Sequence, residues 1–149
     1  MLFIDIIKQY NMEDLANNFA TGLLFVMLFF SISIARNVHK TLDRENAGNL
    51  LRIIFPEYFF WGVCISFLST ILFFFSKQNL QTIIMFVVFL SSVFSRYFLI
   101  PRIDNARNLM ITGNENASKK FSNLHRISVS INLLQIILLL ITMIYTVIT

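Results

Sequence analysis

Four apolar runs dominate this chain, at about residues 18–35, 58–76, 80–100 and 127–148. A helix needs roughly 20 such residues to cross the hydrocarbon core of a bilayer. Strands of a membrane barrel are about half that length and alternate in polarity, so these runs predict helices. The fold class expected is therefore an all-α membrane protein, a bundle of four transmembrane helices forming one domain. Composition agrees: charged residues make up only 13% of the 149 residues, too few to coat a water-facing surface. The lipid bilayer is the first partner the sequence implies.

The connections set topology. Ser76-Lys77-Gln78-Asn79 is a tight turn and makes helices two and three antiparallel neighbours. The first loop, 36–57, and the third, 101–126, are longer. Ala47 to Phe55 reads as an amphipathic approach helix, with Pro56 in the first turn of helix two and Glu57 complementing its dipole. Pro101 is expected to end or kink helix three. At the N-terminus no secretory signal is evident, and Leu2, Phe3, Ile4, Ile6, Ile7 and Tyr10 suggest a short interfacial helix.

Charge sets orientation. Arg36, Lys40, Arg44 and Arg52 lie on or beside the first loop, and Arg96, Arg102, Arg107, Lys119, Lys120 and Arg126 on or beside the third. Only Lys8 and Lys77 remain for the other side. By the positive-inside rule both long loops are cytoplasmic, and both termini lie on the non-cytoplasmic side. The net charge of +4 is thus a topology signal, and no nucleic acid partner is expected. The expected location is a cell membrane, the inner membrane of a bacterium.

Helix four carries the pattern closest to a site. His125, Ser128, Asn132 and Gln135 recur every three or four residues, which puts them on one face, and Thr142 and Thr146 continue it. Such a stripe faces the bundle or a water-filled cavity. It serves either as interhelical glue or as the lining of a small-ligand or transport path. Arg96, near the end of helix three, is expected to snorkel to the cytoplasmic surface or to meet Glu57 or an anionic headgroup. Tyr58, Trp61 and Tyr97 are expected as interfacial anchors. Gly62, Ser66 and Ser69, with Ser91, Ser92 and Ser95, mark close helix approach.

His39 and His125 both fall near the cytoplasmic surface and are weak candidates for ligands of a metal, copper or haem iron. No cofactor is the leading expectation. The lone Cys64 excludes a disulfide within the chain. No phosphate loop, helical zinc motif or nucleophile elbow is present, and no carboxylate pair lies in a spanning segment, so no enzyme activity is expected. Four helices enclose no wide pore alone, which points to a homo-oligomer or a membrane protein partner.

Phe55-Pro56-Glu57-Tyr58-Phe59, then Pro101-Arg102, then Phe121 followed by His125, Ser128 and Asn132 resemble in order and spacing the transmembrane protein 205 family. That resemblance implies a four-helix membrane fold and little chemistry; the ligand-binding candidates, read from the residues themselves, are His125, Ser128, Asn132, Gln135, Arg102, Arg96, Glu57 and Tyr58. The sequence departs from the animal form at Arg96, which stands one residue further from the proline, so no role of Arg96 is carried over.

Asn116-Ala117-Ser118 is a glycosylation sequon that this topology puts in the cytoplasm. The chain expressed in a glycosylating host is expected to show no mass change on glycosidase treatment; a loss of mass would reverse the orientation.

Overall fold

In lipid every backbone N–H and C=O must find a partner within the chain, which favours uninterrupted helices. The computed structural model describes residues 11–113 and 115–148, and these form four helical rods. The first rod joins α1 (Met12–Phe29), a π-helical segment (Phe30–Ala35) and α2 (Arg36–Thr41). The second is the single helix α3 (Arg44–Phe75). The third joins α4 (Asn79–Phe94), a second π-helical segment (Ser95–Leu99) and α5 (Ile100–Ile111). The fourth is α6 (Glu115–Ile148). All four are long and apolar enough to cross a membrane, and the chain is a multi-pass membrane protein. The expected interfacial helix at residues 2–10 lies outside the described residues.

The rods reach further than their apolar runs. A 32-residue helix such as α3 extends about 48 Å at 1.5 Å per residue, against a hydrocarbon core of about 30 Å. The surplus gathers at one end, where most of the basic residues lie. Residues expected in the first long connection are helical except for Leu42 and Asp43. Leu42 is extended, and Asp43 caps α3 by accepting from the Asn46 backbone N–H at 2.9 Å. That bond and a second from the Asn46 side chain hold the Asp43 carboxyl below the usual carboxylate range.

Both prolines differ from expectation. Pro56 sits well inside α3, not in its first turn. Its carbonyl accepts from Arg96 Nη1 on the third rod, which ties that segment to its neighbour. Pro101 follows directly on the π-helical segment, and the rod continues through it rather than ending there.

Reversal at the opposite end is tight. Lys77 takes a left-handed conformation (φ 60°), and Gln78 N–H donates back to the Phe73 carbonyl at 3.0 Å. Helices α3 and α4 thereby become antiparallel neighbours, and α6 closes the bundle against α1 and α4.

The core is largely apolar, with the side chains of Ser66, Ser69, Gln81, Ser92, Gln135 and Thr142 also buried in it. Ala16, Ala20, Leu23, Leu24 and Met27 of α1 meet Phe59 and Phe73 of α3, Met85 and Val88 of α4, and Leu139 of α6. Phe25, Phe29, Phe74 and Phe75 face outward, as a lipid-facing surface requires. A side chain at Gly62 would bring its Cβ to 3.2 Å from Ser92 Oγ and 3.8 Å from Met27 Cε. This glycine therefore sets how closely α3 approaches α4 and α1. Gly62→Leu is expected to wedge these helices apart and cost about 1–3 kcal/mol, read as earlier unfolding in a detergent titration followed by circular dichroism.

Candidate functional site

The projecting ends of the rods enclose a cavity of about 540 Å³ at the basic end of the bundle. α2 contributes His39, and α3 contributes Glu45, Gly48, Leu51, Arg52 and Phe55. α5 brings Ile100, Ile103, Asp104, Arg107, Met110 and Ile111, and α6 brings Phe121, His125 and Ser128. The walls are mostly apolar, with ionisable groups interspersed among them. Small-molecule sites commonly combine a largely apolar pocket with a few convergent polar groups.

Each polar group has a local reason for its position. His125 and Phe121 are one helical turn apart on α6, and their rings stack at 6.0 Å with planes 7° apart. Ser128 follows one turn further on and is buried. On the facing side Arg52 Nε pairs with Asp104 at 3.5 Å, and Arg52 Nη1 donates to Asn108 Oδ1 at 3.3 Å. Arg107 reaches from α5 across the first turns of α3. Its Nη2 donates to the Glu45 carbonyl at 3.0 Å and to Asn49 Oδ1 at 3.3 Å. A Cβ at Gly48 would overlap the Arg107 guanidinium, so only glycine allows this approach.

The polar stripe of the fourth helix divides in two. His125 and Ser128 line the cavity, together with His39 from another rod. Asn132 and Gln135 instead lie deeper, in contact with neighbouring helices. Asn132 donates to Ser31 Oγ at 2.8 Å and accepts from the Tyr58 hydroxyl. Gln135 Nε2 donates to Ser91 Oγ at 2.8 Å and to Ser92 Oγ at 3.0 Å. Further along, the Thr146 hydroxyl donates to Asn17 Oδ1 at 2.7 Å. The lower stripe thus joins α6 to the first, second and third rods, and the upper stripe opens on free space.

The other candidates are dispersed. Tyr58 is not an interfacial anchor: it is buried and stacks on Phe30 at 4.3 Å. Trp61 and Tyr97 are exposed. The Arg96 guanidinium lies 4.8 Å from the Phe60 ring centroid and 5.6 Å from that of Tyr97. With Arg52 and Asp104 it lines a separate, open cleft. Arg102 is exposed beside Phe98, and Glu57 is exposed on α3. Arg107, Gly48 and Asp104 were not singled out by sequence reasoning, because nothing in their local pattern says that α5 and α3 cross there.

Asn132→Leu removes two interhelical bonds and leaves the buried Tyr58 hydroxyl without its acceptor. The expected cost is about 1–2 kcal/mol of stability in detergent, with the upper cavity intact. No change in unfolding would show that this part of the stripe is not glue.

A family model described as a domain of unknown function, DUF4149, matches residues 15–111. No curated protein and no solved structure matches the chain. The matched segment runs from α1 through α5, and so includes the cavity walls that carry His39, Glu45, Gly48, Arg52 and Arg107. That match spans more than half of the sequence, and the chain belongs to the DUF4149 family.

Proposed function

We propose that this protein is a non-enzymatic membrane protein that binds a small amphipathic ligand in the cavity at the basic end of its bundle. The observation that carries the reading is the cavity itself: about 540 Å³, with apolar walls and polar groups from all four rods. Its place just beyond the spanning segments suits a molecule that partitions into the membrane surface. The strong excess of Lys and Arg at that end supports a cytoplasmic location for it, with both termini outside. The same reading takes the host membrane to be a bacterial inner membrane. Within the family, it takes the chain to be of the transmembrane protein 205 type, on the motifs around Pro56, Pro101 and His125.

A second reading rests on His39 and His125, which line one cavity although they lie on different rods. Among the described residues no three of His, Cys, Asp and Glu gather as metal ligands. Two imidazoles alone suit a two-ligand centre such as haem iron and do not complete a tetrahedral metal site. A Soret band in the purified protein, lost in His125→Ala, is the result this reading requires.

The test of the first reading is binding of radiolabelled decanol, a neutral amphiphile, to the purified protein by scintillation proximity. Wild-type protein is expected to bind it saturably. Ile103→Trp, which fills the cavity, is expected to weaken binding by about tenfold or more. Equal binding by the two proteins would place the ligand elsewhere and overturn the reading.

A further inference from the structure

Resting on the cavity as a ligand site, the charges on its walls identify the kind of head group it takes. Arg107 is only 8% exposed, yet it lines the cavity. Its two acceptors among the described residues, the Glu45 carbonyl and Asn49 Oδ1, are both neutral and both engage Nη2. A guanidinium has five N–H donors, so Nε and Nη1 remain without an acceptor among the described residues. The ion pair found among those residues is Arg52 with Asp104, and no carboxylate of the described residues lies within 4.0 Å of Arg107. Asp104 is one turn from Arg107 on the same helix and is already engaged by Arg52. Glu45, the other acid on the cavity, is exposed.

A largely buried cation whose direct hydrogen-bond partners are neutral is costly to maintain, and Asp104, which feels the Arg107 charge at longer range, is shared with Arg52. The planar guanidinium matches a carboxylate or phosphate with two parallel hydrogen bonds. Gly48 leaves the room that lets the guanidinium lie against α3. His125, held by its stack on Phe121, offers a further ring N–H from α6. The apolar side chains of Leu51, Phe55 and Ile100 provide a surface that a free anion does not need.

We infer that the cavity binds a single-chain anionic amphiphile, with its carboxylate or phosphate on Arg107 and its hydrocarbon chain along Leu51, Phe55 and Ile100.

The test compares radiolabelled decanol, decanoate, decyl phosphate and decyltrimethylammonium on the full-length protein, with inorganic phosphate as competitor. Decanoate and decyl phosphate are expected to bind about tenfold or more tightly than decanol, and the ammonium compound no better than decanol. Arg107→Met is expected to abolish the preference for the anions, so that decanoate, decyl phosphate and decanol bind with similar affinity to that variant. If Arg107→Met does not fold, the head-group series on wild-type protein decides alone. Decanol binding with no preference for the anions overturns this inference and leaves the ligand cavity standing. Inorganic phosphate competing as well as decyl phosphate would make the site one for a free anion and also overturn it. Failure of decanol and both anions to bind removes the cavity reading and this inference together.

Discussion

Helices of 30 to 33 residues are longer than a bilayer core can hide, and the architecture at the basic end follows from that surplus. Helical geometry satisfies the backbone inside lipid, and nothing obliges it to stop at the lipid boundary. The rods continue outward, and their ends no longer have hydrocarbon to cover them. They can bury apolar surface only against one another. Leu51, Ile100 and Ala106 do so. Between the rod ends lies the cavity, whose mostly apolar walls are interrupted by Arg52, Asp104 and Arg107.

Inside the membrane the cohesion is of another kind. Lipid tails are as apolar as the side chains, so burial of leucine gives little preference for one helix over another. Close approach and hydrogen bonding choose the partners instead. Gly62 admits Ser92 and Met27, Asn132 joins Ser31 and Tyr58, and Gln135 joins Ser91 and Ser92. These links are few and lie at different depths, so they also fix the rotation of α6. Its upper turns must then present His125 and Ser128 toward the cavity.

Much of this was legible in the sequence. The spans, the antiparallel turn at Lys77 and the polar face of α6 follow from hydropathy and from a period of three or four residues. Tyr58 was not legible as a core residue, because an aromatic residue near a helix end fits an interfacial anchor equally well. The helical character of residues 100–111 was hidden by Pro101, which looks like a terminator although the rod runs on through it. Arg107 was the largest omission. In a sequence it is one of ten cations at the basic end, and only its crossing over Gly48 distinguishes it. Such long-range encounters have no local signature.

The two π-helical segments, Phe30–Ala35 and Ser95–Leu99, bear on how spans and projecting ends relate. A π turn holds more residues than an α turn, much as if a residue had been slipped into a regular helix. In an α-helix each residue advances the side-chain direction by about 100°. The segments therefore act as phase shifters: the face that α1 and α4 turn to the bundle does not run straight on into α2 and α5. The spanning parts can be selected for packing in lipid and the projecting parts for the walls of the cavity, although each pair forms a single rod.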